Sequence, residues 1–207
     1  MDQKRRPYSI KNTATKRLGM YWGEYMDQLI MCHASGQRGV GDNIEHLPVD
    51  YVGFPHGFVA PDADHRVFPG AVTAENALAG TDLMSRAMME KAVLMADTMV
   101  GGKTKKFRMQ KCSVKGGSYW VAVMHPSCMH DMRAEAGDAG WLALEKARIT
   151  AVGSDSPLFK GHSQGTALLN GTVLHTHNSV TYRNNYGAGA NVRGYRNLFF
   201  GAHAVAL

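Results

Sequence analysis

A long amphipathic helix near the start of the chain limits the folds that this sequence can adopt. Apolar and aromatic residues recur at three- and four-residue steps over residues 12–35, which is the spacing of one helix face. These residues are Leu18, Tyr21, Trp22, Tyr25, Met26, Leu29, Ile30 and His33. At 1.5 Å per residue the helix spans roughly 35 Å, which is long for one compact domain of this size. We expect Trp22, Met26, Leu29 and Ile30 to lie on its buried side.

Two glycines stand in the middle of this predicted helix. Gly19 and Gly23 lie four residues apart, and each costs about 1 kcal/mol relative to Ala in a helix interior. We therefore expect another backbone to pack closely against them. Gly36 follows the last periodic residue and predicts the C-terminal end of the helix.

The next segment, residues 37–72, shows no steady hydrophobic period and contains four prolines. A connection of this length is uncommon inside a compact domain and usually has a function or a partner. It carries the aromatic residues Tyr51, Phe54, Phe58 and Phe68. We expect part of this segment to pack against a neighbouring copy of the chain. Deleting residues 52–58 is then predicted to impair assembly more than folding.

The rest of the sequence predicts alternating helices and strands. A second helix is predicted over residues 82–100, capped by Thr81, with a core-facing stripe. The stripe consists of Met84, Met88, Ala92, Met95 and Met99. Strands at 109–114 and 119–124 form a predicted hairpin whose second strand is almost wholly apolar and therefore central in its sheet.

Beyond this hairpin, short helices are predicted near residues 126–135 and 139–150, and the Asn170-Gly171 turn leads into a strand at 172–176. Residues 178–194 are predicted to form a polar, glycine-rich loop, and residues 195–204 a last strand. The order of elements is typical of an α+β fold with a mixed or antiparallel sheet.

Composition excludes several classes of protein. The chain has 207 residues, of which 44% are hydrophobic, so it can bury enough apolar surface to fold. No stretch approaches eighteen apolar residues, and no apolar region follows the basic start, so neither a transmembrane helix nor a secretory signal is predicted. The three cysteines are widely spaced, which favours buried thiols in a reduced intracellular protein over disulfides or a zinc cage.

The net charge of +6 is distributed in blocks. Residues 1–20 hold six Lys or Arg and one acid, whereas residues 21–100 hold four Lys or Arg and eleven acids. Such blocks indicate faces of opposite sign, which suit self-association or contact with a polyanion. A nucleic-acid-binding module that uses the basic blocks is the alternative function.

One motif points to catalysis. Residues 161–165 match G-x-S-x-G, the nucleophile elbow of α/β-hydrolases, with Ser163 as the nucleophile. The motif lacks an apolar strand before it, and the Asn170-Gly171 turn breaks any helix after it. No Asp or Glu follows Asp155, so a Ser-acid-His order cannot be completed. We expect Ser163 to be inert and the chain to have no catalytic residues.

Metal and phosphate sites are also poorly supported. His125, Cys128 and His130 cluster in sequence, and His175 and His177 lie two apart on a predicted strand. Zinc requires three or four ligands with a short paired spacing, which these two loose groups lack. The glycine run at 187–194 lacks the Gly-Lys-Ser/Thr ending of a phosphate loop. We predict no metal and no cofactor.

The sequence nevertheless resembles a known family, the major capsid proteins of tailed bacteriophages of the N-four-like podovirus type. The resembling segments lie in order along most of the chain. They are 26–29 with 35–36, 60–65, 119–121 with 125–126, 141 with 146–147, 157–161, 170–177, and 191–193 with 198–201. The resemblance implies the Hong Kong 97-type capsid fold, with the long helix as the spine of a peripheral subdomain and the later helices and sheet in an axial subdomain.

The resemblance also implies a function in the virion. It implies a structural protein that self-assembles with neighbouring capsid subunits into hexamers and pentamers of a shell around double-stranded DNA. Such a shell would be assembled in the bacterial host cytoplasm, with non-specific contact with packaged DNA and no membrane. The family's N-terminal arm and extended loop are expected to be largely absent, because only about ten residues precede the helix.

A single capsid-type unit, residues 1–207, is predicted. Within it, residues 1–115 mainly form the spine helix, the long loop and the second helix, and residues 116–207 mainly form the sheet and short helices.

Overall fold

The described part of the chain folds into three α-helices and seven β-strands. The structure is a computed structural model and describes residues 10–40, 44–53, 56–98, 109–114, 117–135, 166–202 and 204. The helices are α1 (Ile10–Ser35), α2 (Arg86–Thr98) and α3 (Pro126–Ala134). The strands are β1 (Cys112–Val114), β2 (Gly117–Met124), β3 (Thr166–Leu169), β4 (Thr172–Thr176), β5 (Tyr182–Tyr186), β6 (Val192–Tyr195) and β7 (Leu198–Phe200). This mixture confirms the predicted α+β class.

The long first helix is confirmed, and it ends in a glycine cap. α1 has 26 residues. The backbone N–H of Gln37 donates to the carbonyl of Cys32 over 3.0 Å, and that of Gly36 donates to His33 over 3.2 Å. These are the two bonds of a Schellman motif. It requires the left-handed backbone that Gly36 adopts at φ 71°.

The main sheet has five strands in the order β1-β2-β4-β3, and β7 also pairs with β2. β2 and β4 are parallel, whereas the other pairs are antiparallel. The hairpin of β1 and β2 and the strand β4 confirm the sequence predictions. β2 is central, as predicted from its apolar run, and buries Trp120, Ala122, Val123 and Met124.

A methionine-rich core fills the space between this sheet and the helices α2 and α3. Its buried members are Met84, Met89, Ala122, Met124, Cys128, Met129, Met132, Leu169 and Leu174. Trp120 forms an adjoining cluster with Val93 and Ala96 of α2. Together these clusters make the body of the molecule.

Helix α2 differs from its prediction at its start and in its buried face. Its Ncap is Ser85, whose hydroxyl accepts the N–H of Met88 over 3.3 Å. Asp82 instead accepts the N–H of Ala79 in the preceding turn. Within the helix the buried residues are Met89, Val93 and Ala96, which are displaced by one position from the predicted stripe. Residues 99–100 lie outside the described residues.

The segment predicted as a polar loop at 178–194 contains a second, two-stranded sheet. β5 and β6 pair antiparallel, with Tyr182 opposite Tyr195. The prediction is wrong because the turn is confined to residues 187–190, and the polar residues on either side of it pair as strands. The predicted last strand is also divided, since β6 ends at Tyr195 and β7 begins at Leu198. The helix predicted at 139–150 lies outside the described residues.

Candidate assembly surface

The N-terminal half of α1 lies on the surface of the molecule along its whole length. Every residue from Ile10 to Glu24 is exposed. The exposed set includes large apolar side chains, with Leu18 57% exposed, Trp22 54% exposed and Met26 44% exposed. Because burying apolar area is worth roughly 25 cal/mol per Å², a helix face of this composition is stabilised by a partner that covers it.

Leu18, Trp22 and Met26 are spaced four residues apart, so they form one line on the helix, the α1 stripe. Gly19 and Gly23 lie beside this line. A Cβ placed on either glycine would have no atom within 4 Å. Among the described residues, the close backbone contact that these glycines predict is therefore not made, and the helix backbone is open to a neighbour at this point.

The C-terminal half of α1 packs against its own chain. Cys32 is fully buried with Ile44 and Leu47. Gln28 is also buried, and its side-chain oxygen accepts the backbone N–H of His46 over 2.9 Å. Burial raises the pKa of the Cys32 thiol to about 11, although the nearby Arg38 cation partly opposes this.

The loop that packs on this half of the helix is fixed by Arg38. Its guanidinium donates to the carbonyls of Ile44 and Leu47 over 2.9 and 2.8 Å. We call residues 44–53 and 56–64 the valine loop, because three valines on it remain open to solvent. Val49 is 88% exposed, Val52 71% and Val59 81%.

A guanidinium joins the end of α1 to both the β5–β6 sheet and the loop before α2. Arg196 donates to the carbonyl of Ser35 over 3.0 Å, to the hydroxyl of Tyr186 over 2.9 Å and to a carboxylate oxygen of Glu75 over 2.9 Å. Arg66 donates to the same Glu75 oxygen over 3.3 Å. We call this set the Arg196 clamp. It holds α1 at its C-terminal end and thereby sets the direction in which the exposed half projects.

Two histidine–carboxylate contacts mark the boundary between the packed and exposed halves. His46 lies 2.8 Å from the carboxylate of Glu24, and His177 lies 3.7 Å from that of Asp27. His46 belongs to the valine loop and His177 follows β4. Beyond Glu24 toward the N-terminus, the described residues of α1 carry Lys11, Lys16 and Arg17 and no acid.

The predicted burial of Trp22 and Met26 is wrong within one chain. Helical periodicity identified an apolar face, but the chain covers only the adjacent face, which includes Gln28, Cys32 and Ser35. Leu29 and Ile30 are half-buried.

The prediction for the aromatics of residues 37–72 also needs correction. Tyr51 and Phe58 pack on the Cys32 cluster of their own chain, with their ring centroids 5.6 Å apart. Phe68 is half-buried, and Phe54 lies outside the described residues. A deletion of residues 52–58 would therefore remove part of a core cluster, and it is expected to impair folding as well as assembly.

Two of the four candidate histidines, His125 and His177, serve local structure. His125 caps α3, with its Nδ1 accepting the N–H of Ser127 over 3.2 Å. The Nδ1 of His177 accepts the N–H of Ser179 over 3.1 Å. Within the described ranges, no group of three or more His, Cys, Asp or Glu side chains could hold a metal ion.

Cys128, named with His125 and His130 as a candidate metal ligand, is a buried thiol. Burial raises its pKa to about 11, which disfavours the thiolate that nucleophilic chemistry needs. Ser163 lies outside the described residues, so its predicted inertness stays a prediction.

The Arg196 clamp could not be identified from the sequence. Its members stand at positions 35, 66, 75, 186 and 196, and no local pattern connects them. The exposed valines, by contrast, could be expected from the sequence. They are apolar residues that stand among prolines and acids with no helical or strand period. That pattern fits a loop whose side chains serve a partner.

No helix in the described part of the chain is long and apolar enough to cross a membrane. The sequence matches the family described as phage capsid protein over residues 1–206. The chain belongs to this family of phage capsid proteins. The resemblance noted in the sequence is thereby confirmed. The role expected of the chain is that of a structural protein of the capsid shell.

Solved capsid structures support the same assignment. The capsid of Ralstonia phage GP4 is 36% identical, with a TM-score of 0.80, and the match covers 96% of this chain and 53% of that one. The capsid asymmetric unit of cyanophage Pam1 is 16% identical, with a TM-score of 0.55, and shares the fold over 92% of this chain and 53% of that one. This chain thus spans about half the length of each capsid chain. No curated protein matches the sequence.

Proposed function

We propose that this chain is a shell-building subunit that self-assembles with other copies through the exposed half of α1. The observation that carries the proposal is Trp22, which is 54% exposed on the α1 stripe beside two open glycines. Large apolar patches on a soluble protein mark interaction sites. In a family of capsid proteins, the neighbour that covers such a patch is another subunit.

The organisation of the shell follows from the same proposal. The copies form hexamers and pentamers around double-stranded DNA in the virion and assemble in the bacterial host cytoplasm. α1 acts as the spine of a peripheral subdomain, and the main sheet builds an axial subdomain. The lack of any acid after Asp155 supports non-specific contact between the C-terminal region and packaged DNA.

Neither a catalytic nor a cofactor-dependent role belongs to this proposal. A covalent serine probe should leave Ser163 unlabelled, and Ser163→Ala should leave any measured esterase activity unchanged. If the chain were instead a nucleic-acid-binding module, the isolated protein would bind duplex DNA with a steep salt dependence.

The proposal is tested by Trp22→Ser with Leu94→Ser as the matched control. Leu94 is also a large apolar residue on a helix surface, 63% exposed, but it lies outside the α1 stripe. Truncating a central interface aromatic typically weakens association by 2 kcal/mol or more, which is about 30-fold. We expect that loss for Trp22→Ser and almost none for Leu94→Ser.

Self-association is measured by light scattering and by counting shells or capsomers in negative-stain micrographs. Thermal unfolding of each variant confirms that the fold is intact. Assembly of Trp22→Ser at the unmutated level, or a chain that stays monomeric at every concentration, would contradict the proposal.

A further inference from the structure

We propose that the surface covering the α1 stripe is the valine loop of a neighbouring copy. This inference rests on the proposed function and names the partner surface for it. The first observation is that each copy exposes two separate apolar surfaces. One is the α1 stripe, and the other consists of Val49, Val52 and Val59, which are 71% to 88% exposed.

The two surfaces do not cover each other within one chain, because both remain exposed in it although His46 of the loop contacts Tyr21 of the helix. Arg38 and the Cys32 cluster hold the valine loop on the C-terminal half of α1. Leu18 lies fourteen residues before Cys32, which is roughly 21 Å along the helix axis. A contact between the stripe and the loop therefore joins two copies.

Charge provides the second observation. The exposed half of α1 carries Lys11, Lys16 and Arg17, and none of its residues before Glu24 is acidic. The valine loop carries exposed carboxylates, including Glu45, Asp50 and Asp62, and its sequence holds no Lys or Arg. Opposite charges around two apolar centres favour their association and fix its register.

The same charges disfavour the simplest alternative, in which the stripe pairs with the stripe of a second copy. In a parallel arrangement this would bring the two sets of Lys11, Lys16 and Arg17 together, with no acid before Glu24 on either helix to separate them. Like charges placed opposite each other cost several kcal/mol at an interface.

Pairing of unlike surfaces also has a geometric consequence. Each copy offers both a stripe and a loop, so the contact is head-to-tail and repeats from copy to copy. Such heterologous contacts generate closed rings when the rotation between copies closes. Rings of identical subunits are what a shell needs.

Disulfide trapping between copies tests the inference. Leu18→Cys, which leaves Trp22 in place, is made in one preparation and Val52→Cys in a second, size-tagged preparation, both with Cys112→Ser to remove the partly exposed native thiol. The other native thiols, Cys32 and Cys128, are buried. The preparations are mixed, allowed to associate and oxidised with oxidised glutathione. The mixed dimer then migrates separately from either dimer of like chains.

We expect the mixed dimer to form, and to exceed by about tenfold the dimer of Leu18→Cys with a Leu94→Cys control, because a disulfide requires Cα atoms within about 7 Å. A Leu18→Cys dimer of like chains in place of the mixed dimer would overturn the inference in favour of stripe-to-stripe pairing. Assembly that depends on Trp22 without any mixed dimer would overturn it too and leave the proposed function standing. If assembly does not depend on Trp22 and no mixed dimer forms, the proposed function itself is contradicted.

Charge exchange gives an independent measurement. Lys16→Glu with Arg17→Glu, or Glu45→Lys with Asp50→Lys, should each weaken association, and the four changes in one chain should restore it. We expect the combined variant to associate about threefold or more tightly than the product of the separate effects predicts, since directly interacting groups are non-additive. Additive losses would contradict a direct contact between these charges.

Discussion

The two halves of α1 are parts of one continuous helix, yet the molecule uses them differently. Residues after Glu24 pack on the valine loop and connect through Ser35 to the Arg196 clamp. Apart from Tyr21, whose ring lies 4.7 Å from that of His46, residues before it touch little of their own chain, and they carry Leu18 and Trp22 of the α1 stripe. An isolated helix as short as this exposed half is marginal in water unless something covers its apolar face. The packed half anchors the helix, and the exposed half is available to a partner.

The difference between the two halves indicates why α1 is longer than its own core requires. A helix that served only its own core would end where the core ends, near Tyr25. Here the same hydrophobic period continues for about two further turns, as far as Leu18, at 3.6 residues per turn. Continuation of an apolar period beyond the available core is a mark of a surface that a second molecule covers.

The largest expected effect is the difference in stability lost when a tryptophan is truncated in the core and when one is truncated on the exposed half of α1. Trp120→Ala should lower the free energy of unfolding by about 3–5 kcal/mol, because this ring is 1% exposed and packs 5.5 Å from Phe199. Trp22→Ala should lower it by less than about 1 kcal/mol in the isolated chain, since surface substitutions usually have small effects. Denaturant unfolding of the two variants measures both values.

Equal losses for the two tryptophans would show that the exposed half of α1 is part of the monomer's core. The claim that the packed and exposed halves of α1 have different roles would then be contradicted. Circular dichroism of the native variants checks that neither substitution changes the helix content before unfolding.

A smaller effect is expected at the Arg196 clamp, where the two halves are joined to the body. Arg196→Ala should cost roughly 2–3 kcal/mol, because it removes charged hydrogen bonds to Glu75, Tyr186 and Ser35. Arg196→Lys should recover only part of this, since an ammonium cannot replace the planar fork. Native-state hydrogen exchange should show the loss of protection in the last turns of α1.

Faster exchange confined to the first turns of α1 would contradict this role of the clamp. Arg183→Ala is a suitable control, because Arg183 is another partly buried arginine of the same β5–β6 sheet but lies outside the clamp.

The sequence predicts the elements whose hydrophobic pattern is local. It does not predict contacts between residues that are far apart in the chain. The spacing of apolar residues located α1 and the apolar run located β2, because each depends on neighbours in sequence. The same spacing placed Trp22 inside, since periodicity identifies a face without identifying what covers it. The Arg196 clamp depends on positions 35, 75, 186 and 196, which only the folded chain brings together.

The smallest expected effect is a pH dependence of stability that arises at His125, in the body of the molecule, rather than in α1. Burial lowers the pKa of His125 below its ordinary value of 6.5, and the nearby Arg193 cation lowers it further. The neutral ring stacks on Tyr195 with centroids 4.3 Å apart and accepts the N–H of Ser127. Protonation of Nδ1 removes that acceptor from the start of α3.

The sign follows from linkage. Because the folded pKa is the lower one, the unfolded chain binds the proton more readily, so the contribution of His125 is fully present above pH 6.5 and is lost as the pH falls through the folded pKa. Stability should therefore decline below that pH in the unmutated chain. His125→Asn, which keeps a capping side chain without a titrating ring, should decline less. Hydrogen-exchange protection factors, which correct for the pH dependence of the intrinsic exchange rate, should fall in α3 at acidic pH and stay unchanged in the exposed half of α1, whereas an equal response in both regions would show that the two do not unfold independently.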